Sequence, residues 1–316
     1  MKLVVLDAAT LGEICLDSLL EGFETRVFPS TRPEQTQARI RGAAIVVSNK
    51  VVLNRATLAA ADKLQLICVA ATGTNNVDLE AARDLNIAVT NVPGYSTPSV
   101  VSHTFAMYFH LAHGNAYHDR YTREGRWSRS PIFTHLDVPF NELDQKVWGI
   151  IGLGAIGRGV ARIADAWGCR VIYHSSSGAN LEQPWPQQDL NSLLATADVV
   201  SIHAPLTTAT LGLVGTEQLA TMKASAYLIN TSRGGIVREN DLARALDEGQ
   251  IAGAALDVLE KEPPAVDNPL FHLAHPERLF VTPHIAGLSS ESRCRLVAEI
   301  RANIDAFRQG ETRNPV

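Results

Sequence analysis

Residues 146–177 read KVWGIIGLGAIGRGVARIADAWGCRVIYHSSS, and the order of residue types in this stretch decides the fold. Val147 to Ile151 is a short apolar run of the kind that forms a buried strand. Gly152, Gly154 and Gly157 follow at G-x-G-x-x-G spacing. Ile156, Val160, Ile163, Ala164 and Trp167 then recur at helical spacing, Gly168 stops the helix, and Val171 to Tyr173 reads as a second strand. A strand, a glycine turn, a helix and a strand in this register form the context that turns a weak glycine motif into a dinucleotide site. The first glycine permits the tight turn and the second lets the backbone approach a pyrophosphate. The third lets the helix pack close to the sheet, and the helix N-terminus offers free N–H groups to the phosphates. A glycine-rich turn of no special use is the alternative, and the flanking strands and helix argue against it.

Outward from this unit, the 316 residues suffice for about two domains. Hydrophobic residues at 46% and charged residues at 19% fit a soluble globular protein. The net charge of −5 without a basic block argues against nucleic acid as a partner. No apolar run is long enough to span a membrane. Leu3 to Leu6 already reads as a strand, with no basic region or cleavage site before it, so no signal peptide is expected and the cytoplasm is the expected compartment. Cys15, Cys68, Cys169 and Cys294 lack C-x-x-C spacing and read as buried free thiols in a reducing compartment.

Residues 1–97 alternate candidate strands at 3–6, 24–28, 44–48, 66–69 and 88–91 with candidate helices near 12–20, 33–41, 55–61 and 79–85, the pattern of a parallel α/β sheet. Pro93, Gly94 and Pro98 interrupt it, and residues 99–125 read as one long helical region. His103, His110, His113 and His118 crowd that region. His110 and His113 could present a metal pair, but no carboxylate or cysteine nearby completes a ligand set, so no metal is expected. Beyond the glycine unit, strands at 198–202, 226–230, 252–256 and 279–282 end in His203-Ala204-Pro205, Thr231-Ser232-Arg233, Asp257 and Pro283-His284. A helix is expected near 239–248 and another from about Ser290. Polar groups thus gather where strands end, and in open parallel sheets ligands bind at the carboxyl ends of strands.

Arg233, Glu262 and His284 stand out chemically. A 2-oxo acid carries a carboxylate beside a ketone, and an arginine can pair with both. Hydride addition puts negative charge on the ketone oxygen, which an acid must protonate, and a histidine suits that task near neutrality. A carboxylate on the other ring nitrogen holds the imidazole and favours its charged form. Each residue also has a plainer reading. Arg233 could hold only a phosphate or a surface carboxylate, Glu262 could be a solvated acid in a polar loop, and His284 could cap a strand. Spacing alone does not bring the three together.

The chain resembles the D-isomer-specific 2-hydroxyacid dehydrogenase family over essentially its whole length. The matching words are ATGTNNVD at 71–78, GLGAIG at 152–157, HAPLT at 203–207, NTSRGG at 230–235, ALDVLEKEPP at 255–264 and TPHIAG at 282–287. The resemblance implies that Arg233, Glu262 and His284 are the catalytic residues. It also implies that backbone N–H groups at Thr72, Gly73 and Thr74 grip the substrate carboxylate. The implied fold is α/β, with two Rossmann-like parallel-sheet domains. A cofactor domain at 98–284 is inserted into a flavodoxin-like substrate domain at 1–97 and 285–316, with hinges near 97–98 and 284–286. The expected NAD(P)H contacts are Gly152, Gly154, Ala155, Ile156, Gly157, Ser175, His203, Ala204, Pro205, Thr231, Ser232, Arg233, Asp257, His284 and Gly287.

Within the family, Asn49-Lys50, the ATGT word and GRWSRSPIF at 125–133 look most like the hydroxypyruvate reductase, or glycerate dehydrogenase, branch. Lys50 would then point to the substrate, its alternative being a surface lysine. The expected activity is reduction of hydroxypyruvate or glyoxylate to D-glycerate or glycolate by a homodimer built on residues 99–113 and the loop through Trp127. A dehydrogenase for another D-2-hydroxy acid and a dinucleotide-sensing protein of the corepressor type are the alternatives. Gly287 stands where this branch often has a larger or different residue. Ser175 stands where NAD-specific members carry an acid, and Tyr173 to Ser177 holds no Asp or Glu. That removes the main barrier to a 2′-phosphate, so both cofactors are expected to work, with a modest preference for NADPH. Arg158, the nearest arginine, is expected to face solvent on its helix.

Overall fold

A computed structural model describes residues 1–179 and 182–316. Two compact units divide the chain, residues 1–96 with 288–316 as unit 1 and residues 97–287 as unit 2. In unit 1, β1 (Lys2–Val5), β2 (Glu24–Val27), β3 (Ile45–Ser48), β4 (Leu66–Val69) and β5 (Ala88–Thr90) pair in parallel in the order β2-β1-β3-β4-β5. The central strands β3 and β4 are buried on both faces, which explains their unbroken apolar sequences. Helices α1 (Asp17–Leu20), α2 (Pro33–Ile40), α3 (Arg55–Ala59) and α4 (Leu79–Asp84) connect the strands. The single helix expected over 12–20 does not form. A 3₁₀ turn occupies Ala8–Leu11, and Gly12, at φ +70°, separates it from the one-turn α1.

Unit 2 opens with α5 (Thr97–Ala112) and α6 (Asn115–Arg123), where one long helix was expected. Gly114 breaks them apart in the left-handed region at φ 60°, and a Cβ there would meet the Val138 side chain at 2.9 Å. Pro98 does not interrupt the chain but sits in the first turn of α5, where its missing N–H has no intrahelical partner to lose. The sheet follows as β6 (Val147–Ile151), α7 (Ala155–Ala166), β7 (Arg170–His174), α8 (Leu190–Thr196), β8 (Val199–Ile202), α9 (Thr216–Thr221), β9 (Tyr227–Asn230), α10 (Glu239–Asp247), β10 (Gly253–Leu256) and β11 (Leu279–Val281). These strands are parallel in the order β11-β10-β9-β8-β6-β7. The last helix, α11 (Ser290–Arg308), belongs to unit 1, where Leu296, Val297, Ile300 and Ile304 pack with Leu3, Val5 and Leu66. Both units are thus parallel-sheet α/β domains, as expected, the second inserted into the first.

The apolar face of α5 lies in unit 2's own core, with Phe105 and Tyr108 against Trp148 at 4.9 and 5.4 Å between ring centroids. His110 stacks on Phe280 and His113 on Phe140, so the two rings face different aromatic partners. Cys15 and Cys294 are exposed rather than buried. Burial pushes the thiols of Cys68 and Cys169 up to about 12 and about 11, which keeps them protonated and inert.

Candidate active site

Strand order locates the crevice in unit 2. From β6 the chain moves to β7 on one side, then crosses to β8 on the other, and ligands bind where the order reverses, at the carboxyl ends of the strands. Gly152 ends β6 at φ +90°, and a Cβ there would lie 2.8 Å from the backbone N of Ala204 and 2.9 Å from the carbonyl carbon of His203. Gly157 faces the Gly152 carbonyl so closely that a Cβ would sit 2.2 Å from its oxygen. Gly154 differs, because a Cβ there meets nothing within 4 Å. Two glycines therefore let backbones touch and one leaves open space before the N-terminus of α7, which starts at Ala155 and Ile156. These residues fit a dinucleotide pyrophosphate.

His203 is half-buried as a residue, yet its Nε2 is fully enclosed and lacks a hydrogen-bond partner among the described residues. Burial pushes its pKa down to about 3, so the ring is neutral. Its Nδ1 lies 3.5 Å from the Thr231 hydroxyl. The Ser232 hydroxyl donates to the Ala204 carbonyl, tying the ends of β8 and β9 together, and Pro205 follows at the exposed rim. Buried Asn230 shapes the loop after β9, accepting from Ser232 N at 3.0 Å and donating to Arg233 O at 2.8 Å. The sequence reading missed Asn230. Its signal is an amide at the last position of a buried strand, just before the Thr-Ser-Arg-Gly-Gly turn.

At the other side of this edge, His284 Nδ1 lies 2.6 Å from Glu262 Oε2, although 22 positions separate the two residues. The second oxygen of Glu262 accepts Leu259 N at 3.0 Å, which closes the turn that carries it. His284 has φ 54°, a conformation that costs a non-glycine residue about 1 kcal/mol or more. Asp257 holds it there. Its carbonyl accepts His284 N at 2.9 Å, and its buried carboxylate accepts Ile285 N at 2.8 Å, Ala286 N at 2.9 Å and the Thr282 hydroxyl at 2.5 Å. Gly287 follows, half-buried, at the end of the unit. Arg233 is half-buried and donates to Ser232 O at 2.7 Å. Its loop meets the Glu262 turn through Gly234, where a Cβ would sit 1.8 Å from Leu259 O.

Lys50, Thr72, Gly73 and Thr74 lie in unit 1, on the loops after β3 and β4. Lys50 N donates to the buried Asp7 carboxylate at 2.6 Å, and the Thr72 hydroxyl donates to Val92 O at 2.9 Å. Beyond β7, the Ser175 hydroxyl donates to Ala179 O at 2.5 Å and His174 Nδ1 donates to Gln188 O at 3.2 Å. Arg158 does not point away into solvent. It is half-buried and folds back to donate to Leu153 O, 3.1 Å away, inside the glycine turn.

The family model for the NAD binding domain of D-isomer specific 2-hydroxyacid dehydrogenases matches residues 105–286. A glycerate dehydrogenase of Methylorubrum extorquens is 37% identical over 100% of this chain and 98% of its own. A hydroxypyruvate reductase of Blautia hydrogenotrophica is 36% identical over 100% of this chain and 99% of its own. Among solved structures, the NADPH-dependent glyoxylate/hydroxypyruvate reductase of Sinorhizobium meliloti, in complex with NADP and malonate, superposes with a TM-score of 0.84 at 26% identity. That match covers 100% of this chain and 96% of the other. Full-length similarity of this degree, on a chain whose glycine turn and strand-end residues have the geometry just described, shows that it belongs to the D-isomer specific 2-hydroxyacid dehydrogenase family.

Proposed function

We propose that the protein reduces short 2-oxo acids, hydroxypyruvate or glyoxylate, to D-glycerate or glycolate. The observation that carries this reading is the 2.6 Å pair between His284 Nδ1 and Glu262, which leaves Nε2 of the ring to deliver a proton. Bound in the crevice of unit 2, a nicotinamide dinucleotide supplies the hydride. Arg233 pairs with the substrate carboxylate and the developing oxyanion, His284 protonates that oxygen, and Glu262 holds the imidazole and balances its charge. Backbone N–H groups at Thr72, Gly73 and Thr74, with Lys50, bind the carboxylate end. The named activities of the relatives support this substrate class.

Both cofactors are proposed to work, with a modest preference for NADPH. No carboxylate stands between Tyr173 and Ser177 to repel a 2′-phosphate, and Ser176 and Ser177 offer hydroxyls. A homodimer is proposed on the segment after α6, where Trp127, Ile132, Phe133, Leu136 and Phe140 are exposed large apolar side chains. Steady-state assays over a panel of 2-oxo acids, each with NADH and NADPH, test the reading. Turnover of hydroxypyruvate or glyoxylate is expected, and no turnover with any acid points instead to a dinucleotide-sensing binding protein. A 10²-fold or greater preference for NADH in kcat/KM, worth about 2.7 kcal/mol, reverses the cofactor assignment. A monomer mass by light scattering rejects the dimer.

A further inference from the structure

Glu239 is the first residue of α10 and is buried, a costly place for a carboxylate unless its oxygens are paired. Its Oε1 accepts the N–H of Glu260 at 2.5 Å, and its Oε2 accepts Nδ2 of buried Asn268 at 2.6 Å. Glu260 Oε1 in turn accepts the N–H of Glu239 at 3.0 Å, so each glutamate clasps the other's backbone. The Leu259–Glu260 peptide held this way is also the one on which Gly234 packs, with an added Cβ only 2.6 Å from Glu260 N. Leu259 N donates to Glu262 Oε1 at 3.0 Å, and Glu262 Oε2 holds His284 at 2.6 Å. The Leu259–Glu260 peptide is thus shared by the loop of Arg233 and the start of α10, and the N–H of the preceding Val258–Leu259 peptide, at the same residue, closes the turn of Glu262.

We propose that Glu239 is a positioning residue for the reaction. It fixes the Leu259–Glu260 peptide, and through it the Glu262–His284 pair on one side and the Arg233 loop on the other. The inference rests on the functional reading of Arg233, Glu262 and His284 given above. A carboxylate in the first turn also favours the helix dipole, but an exposed one does that equally well. Here both oxygens are turned onto the loop and its neighbour, which is the arrangement expected of a brace. A brace of this kind matters because misplacing catalytic groups by about 1 Å can cost on the order of 10²-fold in rate.

The test compares Glu239→Ala with Glu239→Gln, using glyoxylate and hydroxypyruvate with NADPH and NADH, alongside Tm and dinucleotide affinity. Glu239→Ala is expected to lower kcat by roughly 10- to 100-fold with dinucleotide affinity unchanged. Glu239→Gln keeps an acceptor for the Glu260 N–H and should recover most of the rate. Asn268→Ala removes one donor to Glu239, together with the acceptor of Leu270 N, and spares the Glu260 clasp. It is the milder variant should Glu239→Ala fail to fold, and a several-fold fall in kcat is expected. A lower Tm with kcat per folded molecule unchanged overturns the proposal, as does loss of dinucleotide affinity with kcat retained. If the unaltered protein turns over no 2-oxo acid, the functional reading fails and this inference with it. If it is active and these variants are equally active, only the inference fails.

Discussion

The two units share a strand order but finish their central crevices differently. In each, the first strand lies between the second and third, so the order reverses at β1 and β3 in unit 1 and at β6 and β8 in unit 2. After β6 the turn is Gly152-Leu153-Gly154, which leaves room at Gly154 and leads directly into the 12-residue helix α7. After β1 the turn contains Asp7, whose buried carboxylate accepts Asn49 N at 3.0 Å and Lys50 N at 2.6 Å, and only a four-residue 3₁₀ turn follows. In unit 1 a side chain of the protein itself thus takes up backbone N–H groups where the strand order reverses. Strand order creates the crevice, and the turn after the first strand decides whether it leaves room for a phosphate.

The largest expected effect separates chemistry from binding. His284→Ala should lower kcat by about 10²-fold or more, the loss typical of a missing general acid. Arg233→Ala should lower kcat and raise KM, whereas Lys50→Ala in unit 1 should act mainly on KM. Steady-state kinetics of the three variants check this, and a kcat loss for Lys50→Ala as large as that for His284→Ala breaks the division between the units. The next effect probes the open crevice. Gly157→Ala places a methyl 2.2 Å from a carbonyl oxygen and should destabilise unit 2. The cost should be about 1–3 kcal/mol, as for other overpacked sites. Gly154→Ala meets open space, so Tm should hold while NAD(P)H affinity falls. Thermal melts with fluorescence titration of the cofactor distinguish the two, and equal loss of stability in both removes the assigned roles.

His203 gives a smaller, pH-dependent effect at the same edge. Its folded pKa of about 3 lies below the ordinary value of 6.5, so the unfolded chain takes up a proton that the folded chain refuses. Stability from this residue is full above pH 6.5 and is lost as pH falls from there toward 3, by about 1–2 kcal/mol at pH 5. Urea unfolding at pH 7 and pH 5 should show a smaller pH difference in His203→Gln than in the unaltered chain. The smallest effect lies in unit 1. Asp7→Asn keeps one carbonyl acceptor but loses a charged one, and should cost about 1 kcal/mol. Chemical denaturation measures it, and an unchanged midpoint would show that Asp7 does not fasten the loop of Lys50.

Much of this arrangement is legible in the sequence, because local conformation and burial leave periodic traces. The parallel sheets follow from short apolar runs alternating with helical segments, and the dinucleotide turn from three glycines between a strand and a helix. The readings that fail do so where one backbone angle matters more than pattern. Gly114 at positive φ divides a stretch whose composition is helical, Gly12 at positive φ opens one of which only the last turn forms, and Pro98 sits in the first turn of the helix it was expected to precede. The candidate catalytic residues are legible as residue types at strand ends, but not as a site. Glu262 meets His284 only because the Leu259 turn closes on Glu262 itself and Asp257 holds His284 at φ 54°. The Asn230 clamp, the Gly234–Leu259 contact and the Glu239–Glu260 clasp are likewise decided by tertiary structure. Such contacts join loops far apart in the chain, and a hydrogen bond between two loops imposes no periodicity on either. The sequence determined which strands and helices form and which groups reach their ends; only the folded chain decided which of those groups touch.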